Sequence, residues 1–254
     1  MYSLVSSAGG IIGYSDSNSQ STTIINCTNS GLIKSDLWAT GGIAGNLISN
    51  SIVSNCSNTG EIYGDNGNCG GIVGAQGAND TKITYCNVDK SFNTGYVHAI
   101  GKTGNPSIGG ILGTIQLGDY CTITNSYNTG VIAATAYSSG NIYHGVGGIL
   151  GTIYDNATAT ATKSKATISN CYNLGNLTNS YSSSFAGQIL GRNNGMSSTV
   201  TNSFYLSTSV GANTYGGTSV ASATLKGYAS TLGAAYKIDS NNKNNGYPIL
   251  DWQN

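Results

Sequence analysis

The sequence predicts an all-β chain, a right-handed parallel β-solenoid closed by a small C-terminal cap. Three observations lead there: six copies of a glycine block, an Asn-rich segment alternating with it, and a polar composition almost without charge. The glycine block reads Gly-Gly-Ile-x-Gly from Gly9, Gly41, Gly70, Gly109 and Gly147, and a sixth copy from Gly187 carries Gln188 at its second position. Successive copies start 32, 29, 39, 38 and 40 residues apart.

The second signature is an apolar residue, two polar ones, Cys or Ser, an aromatic or small residue, Asn and then Gly. It starts at Ile24, Val53, Ile123 and Ile168, with a partial copy at Val200. A further copy reads as split, with ITYC from Ile83 separated from Phe92 by about five inserted residues. Each unit thus holds short runs rich in β-branched residues and bounded by turn formers, which is how strands read. The density of Gly, Asn, Ser and Thr disfavours helices. One unit cannot bury its apolar side chains alone, whereas stacked units pair equivalent residues in parallel about 4.8 Å apart and build one core. Unequal intervals are then loops, such as 134–145 and 156–165, looping out of a turn. Right-handedness follows the general rule for parallel crossovers.

A sandwich does not require Ile at the centre of every block, and a propeller blade of four strands does not fit comfortably in the shortest interval. The solenoid is assigned to residues 1–206 and the cap to 207–254 of the same domain. In that cap a short, weak helix is read from Ala221, and Pro248, Leu250 and Trp252 are expected to cover the last coil. The start shows no equivalent cap and no signal-peptide pattern, so further protein or another surface is expected against the first coil.

Composition excludes several functions. Ser, Thr and Asn number about 90, and together with 37 glycines they make roughly half of the 254 residues, far above ordinary usage. Ten basic and ten acidic residues cancel, and Arg192 is the single arginine, so the phosphate-neutralising surface of a nucleic-acid binder is missing. No apolar run is long enough for membrane insertion. Zero net charge and 17 tyrosines argue against disorder.

The search for chemistry finds little. None of the glycine blocks has the Gly-Lys-Ser/Thr ending or the strand-to-helix setting of a phosphate loop. Cys27, Cys56, Cys86 and Cys171 read as one repeat slot that Ser126 and Ser203 fill elsewhere, and Cys69 precedes its block where other copies hold Ala, Thr, Ile or Val. Buried free thiols are the favoured reading, with a disulfide between coils as the alternative; Cys121 lies outside the pattern. No CxxC pair suggests zinc. His98 and His144 fall in variable segments, where surface loops are expected, and Glu61 is the single glutamate. Asp80, Asp119 and Asp155 could line one edge and hold a cation, though solvated turns explain them as well. No catalytic residue, cofactor or metal site is assigned. Phe92, Tyr127, Tyr172 and Phe204 form a row in the slot after Cys or Ser. Facing outward they make an aromatic strip for sugars or apolar partners; facing inward they are core, and strict alternation favours the latter unless the turn reverses it. Threonines show no regular Thr-x-Thr ladder, which ranks ice binding last.

The Gly-Gly-Ile-x-Gly blocks, the NCSNTG and NSYNTG segments and the NNGYPILDWQ ending together resemble GLUG-motif repeat proteins of bacterial cell surfaces, over about Gly9 to Trp252. The resemblance implies a β-solenoid region of a larger secreted or wall-attached protein, often regarded as adhesive. Such regions also accompany immunoglobulin A peptidases, whose separate zinc motif is absent here. The expected role is a non-enzymatic adhesive or spacer module. The expected partner is a surface glycan or protein of a host or neighbouring cell, or other copies of the chain. A self-assembling filament and a glycan-binding or glycan-processing β-helix are the alternatives.

Overall fold

Strands only two to five residues long wind the chain into a parallel solenoid, six coils deep in most of its sheets. The computed structural model describes residues 2–3, 7–15, 21–36, 38–77, 83–101, 106–116, 119–135, 144–154, 163–179, 185–209 and 215–253. One coil consists of Ile62–Gly64, Asn68–Gly70, Val73–Gln76, Tyr85–Asp89 and Phe92–Asn93, which contribute in turn to five parallel sheets, here called first to fifth. Equivalent residues pair in register from coil to coil: Cys69 lies between Thr40 and Ile108, and Val73 between Ala44 and Leu112. The expected loop bounds shift slightly, because the first-sheet strand runs on to Thr135 and a fourth-sheet strand begins at Lys165. What separates them from their neighbours, 136–143 and 155–162, lies outside the described residues.

Two stacks of apolar side chains fill the coil. The larger joins the glycine-block isoleucines Ile43, Ile72, Ile111, Ile149 and Ile189 to the fourth-sheet residues Val53, Val88, Ile123 and Ile168. The smaller runs through Ile33, Ile62, Val97 and Ile132 with Cys69, Ile108 and Val146. Between the apolar stacks the fifth sheet sends in a column of asparagines. Asn29 donates its amide to Asn58 (2.7 Å), Asn58 to Asn93 (2.8 Å), Asn93 to Asn128 (2.8 Å) and Asn128 to Asn173 (2.8 Å). Each of these amides also donates to the carbonyl of the glycine two residues on, so its two N–H groups are used.

The second glycine of the block exists because of this column. A Cβ on Gly71 would lie 2.2 Å from the Gly110 carbonyl oxygen and 2.4 Å from Asn93 Cγ, where no side chain fits. Gln188 departs from the pattern for the complementary reason. In the last coil Tyr205 takes the register position of Asn173, so the asparagine that would crowd residue 188 is absent. Gln188 then turns its own amide into that place and accepts from Asn173 Nδ2 at 2.8 Å, ending the column with a partner.

The corner before the fifth sheet is made by Asn26, Asn55, Asn125, Asn170 and Asn202, all at positive φ, and by Lys90 in the third coil. This identifies the Cys/Ser slot and corrects two readings. The supposedly split copy is continuous: Val88 pairs with Val53 and Ile123, and Ser91, not Cys86, fills the slot. Ser91 Oγ donates to the Asp89 carbonyl and accepts from the Cys56 amide, the same local bond that the Cys56 and Cys171 thiols make to the carbonyl two residues back. Cys86 instead sits two residues before the core valine, in register with Cys121, so both belong to an ordinary inward column with Ser51 and Ala166.

All six cysteines are free. Burial pushes the thiols of Cys56 up to about 11 and of Cys69 and Cys171 up to about 12; at Cys121 the contact with Cys86 leads, followed by burial. Thiols held so far above neutral pH are poor nucleophiles. Cys27 alone is partly exposed. A thiol-reactive dye is expected to label Cys27 in the native protein and the other five only on unfolding; rapid native labelling of several would contradict this packing. Gln188→Gly restores the repeat's own residue, yet it removes the acceptor of the buried Asn173 amide. It is expected to destabilise by about 1–3 kcal/mol, the cost of a buried unpaired donor, read from the urea midpoint.

Candidate functional site

The row that sequence marked as a possible ligand strip lies on the outer side of the fifth sheet. The left-handed corner residue turns the chain so that the residue after the Cys/Ser slot points away from the coil and the asparagine after it points in. The rings stack at the strand spacing: Phe92 on Tyr127 at 5.0 Å and 6°, Tyr127 on Tyr172 at 4.8 Å and 4°. Phe204 continues the column in register. The row therefore faces outward, yet Tyr127, Tyr172 and Phe204 are buried and Phe92 is half-buried, because the chain's C-terminal segment lies over it.

That segment is built for the purpose. The helix read from Ala221 is two single turns, Ser222–Lys226 and Ala229–Leu232, separated by Gly227 and Tyr228. An antiparallel pair, Tyr236–Lys237 with Ile249–Leu250, follows. Leu225, Leu232, Tyr236 and Leu250 pack with Tyr127, Tyr172 and Phe204 into a third core outside the coil. Polar contacts fix the register. Tyr172 Oη donates to the Pro248 carbonyl and accepts from Asn244 Nδ2. Tyr127 Oη donates to Gln253 Oε1 at 3.1 Å, and Tyr236 Oη to the Asn170 carbonyl at 2.9 Å. Asp239 ties the connecting turn by accepting the amides of Lys243, Asn244 and Gly246; burial opposes its charge, but these three bonds outweigh it and hold its carboxyl below the usual value. At the far end Trp252 stacks on Phe92 at 5.6 Å and donates to the Lys90 carbonyl, while Lys90 pairs with Asp251 at 2.7 Å. Lys90 replaces asparagine at its corner where the segment ends. Pro248, Leu250 and Trp252 thus run along the side of several coils, not over the last one as the sequence suggested. The downstream end is met by other residues: Thr218–Val220 adds a strand to the fifth sheet, and Gly216 and Gly217 lie against Val200 and Ile189.

The remaining candidates are dispersed. Asp80 and Asp155 lie outside the described residues. Asp119 is buried and accepts the Thr84 amide at 2.6 Å, the bond of a structural carboxylate. Among the described residues no three His, Cys, Asp or Glu side chains come together as a metal site. His144 is not in a free loop position but hydrogen-bonded to Ser107 Oγ through Nδ1; burial, and secondarily Arg192, lowers its imidazole to about 4. His98 belongs to a first-sheet strand, Val97–Ile100, not to a loop.

Two partly exposed features escaped the sequence reading. On the first sheet, His98 stacks beside Tyr96 at 5.4 Å and meets the edge of Tyr63 at 5.2 Å, with the Lys34 ammonium 4.5 Å from the Tyr63 ring. On the fourth sheet, Thr122-x-Thr124, Thr167-x-Ser169 and Thr199-x-Thr201 align in three successive coils. The hydroxyl ladder is real but local, since Asn87-x-Asp89 and Ile52-x-Ser54 precede it.

The architecture defines a parallel β-solenoid, and residues 36–63, one glycine block with its Asn-rich turn, match the GLUG motif. The fold is similar to a crystal structure from Bacteroides ovatus described as a candidate immunoglobulin A1 protease, with a TM-score of 0.56 at 20% identity, over 91% of this chain and 76% of that one. None of the curated proteins matches significantly.

Burial raises the phenols of Tyr127, Tyr172 and Tyr236 above the ordinary value of about 10. A raised folded pKa gives stability that is complete below the unfolded value and lost as pH climbs toward the folded one. The protein is therefore expected to be pH-insensitive in this respect up to about 10 and to unfold progressively above it, with phenolate absorbance from these three rings appearing only together with loss of β-structure.

Proposed function

We propose that this chain is a non-enzymatic adhesive or spacer module of a bacterial extracellular or surface protein. The observation that carries the reading is how the chemically distinctive side chains are spent. The asparagines pair with one another, the Cys/Ser slot closes its own turns, and the aromatic row holds the C-terminal segment. What the flat outer faces offer instead is a neutral set of hydroxyls and amides on the fourth sheet and a few rings on the first. A stiff coil with such faces suits spacing or weak, repeated surface contact. The GLUG motif and the solenoid likeness support this reading. The protease description belongs to the Bacteroides ovatus protein; at 20% identity it carries only fold to this chain.

A filament made by stacking coil ends is the weaker reading, because Gly216 and Gly217 lie against Val200 and Ile189 at the downstream end. Glycan binding is favoured at a different place from the aromatic row, at Tyr63, Tyr96 and His98, where Tyr96 is exposed and the other two rings are half-exposed. Binding of the purified chain to immobilised bacterial and host surface glycans and proteins tests the main reading, with sedimentation velocity alongside. A monomer that binds such a surface and turns over none of it is the expected outcome. Turnover abolished by a single aspartate change would overturn it. If the surface is a glycan, Tyr63→Ala with Tyr96→Ala is expected to weaken binding about tenfold, the scale of losing one or two ring contacts, whereas Trp252→Ala is expected to leave it unchanged.

A further inference from the structure

Among the described residues, the chain's single arginine has no counter-ion. Arg192 ends the third-sheet strand Leu190–Arg192, in register with Thr152 of the coil before. Its Cβ rests on that coil at Gly145, where an added Cβ would lie only 2.8 Å away. The guanidinium carbon lies 4.2 Å from the centre of the Phe185 ring. Among the described residues it makes no hydrogen bond, and Nε is buried without a partner, whereas Nη1 and Nη2 keep contact with solvent. A guanidinium stacked on a ring presents its terminal N–H groups edgewise, as the fork that fits a carboxylate.

His144 immediately precedes Gly145, the residue on which Arg192 rests. Its ring stacks against Tyr154, with centres 6.3 Å apart, at the end of the strand Leu150–Tyr154 that pairs with the arginine's own. Nδ1 is bonded to Ser107 Oγ at 2.9 Å, and among the described residues nothing bonds Nε2. Burial, and then the charge of Arg192, keeps this imidazole neutral at ordinary pH. With Ser107 donating to Nδ1, the ring proton sits on Nε2 and makes it a donor. His144, Tyr154, Phe185 and Arg192 are all half-buried, so each retains an accessible side. The cluster offers one full positive charge and one neutral donor, set between rings.

We propose that Arg192, His144 and Tyr154 form a binding site for an acidic sugar. The sugar carboxylate accepts from the Arg192 fork, a neighbouring hydroxyl accepts from His144 Nε2, and the sugar ring packs against the accessible part of Tyr154. One cation beside one neutral donor matches a carboxylate with an adjacent hydroxyl. A phosphate would bring a second negative charge that this cluster does not meet. A neutral sugar would leave the guanidinium unmatched. The site lies apart from the first-sheet rings, and the inference does not depend on the adhesive reading.

The probe is glucuronate, titrated into the full chain while the imidazole Cε1–H resonances are followed by NMR. The chain has two histidines, and His98 on the first sheet serves as the internal control. A saturable shift of the His144 signal with His98 unmoved is expected. Arg192→Gln should weaken binding about tenfold or more, and Arg192→Lys nearly as much, because an ammonium keeps the charge without the fork. If either variant fails to fold, the neutral methyl ester of glucuronate decides on the unaltered protein, with the same expected loss. Absence of a saturable shift, movement of His98 instead, or equal binding of the methyl ester overturns the proposal. Equal binding of acetate also overturns it, by showing an anion site that reads no sugar. Glucuronate bound by a chain that holds to no bacterial or host surface would uphold this site and remove only the adhesive reading.

Discussion

Everything in this fold depends on equivalent residues meeting in register at the parallel strand spacing. A repeat of small, polar residues would ordinarily bury too little apolar surface to fold. Stacking changes the balance, because each isoleucine of a glycine block packs on its counterpart and each buried polar group finds the same group one coil away. The asparagine column shows the constraint most sharply. An unpaired amide in such a place costs far more than a paired one contributes, so the column must be continuous and must end well, and Gln188 is where it ends.

The same constraint governs what the surface can become. An inward-facing position is committed to its column, whereas each outward position is free to vary. That is why the fifth-sheet row changes from Thr28 and Ser57 to Phe92, Tyr127, Tyr172 and Phe204 without disturbing the coil. Once aromatic, the row is an apolar ridge, and the C-terminal segment covers it with its own Leu, Tyr and Trp side chains. The three-dimensional result is a second core outside the solenoid, held at one end by Trp252 and Lys90 and in the middle by the phenols of Tyr127 and Tyr172.

Cysteine chemistry illustrates how a repeat slot is defined by its bond and not by its residue. Ser91, Ser126 and Ser203 make the same contact to the carbonyl two residues back as Cys56 and Cys171. Aligning on cysteine therefore displaced the third coil and isolated Cys121. Aligning on Val88 restores both.

The sequence by itself determined the architecture. Six glycine blocks with a common isoleucine and an intervening Asn-rich turn admit little besides a parallel stack, and the inward columns through Cys69, Ile108 and Val146 followed from their shared offsets. Which way the aromatic row faces, and what lies on it, was decided only by tertiary structure. A single left-handed residue at each corner reverses the alternation that the sequence pattern implies. The C-terminal segment then meets residues as far away in sequence as Lys90 and Phe92, a pairing that no local period encodes.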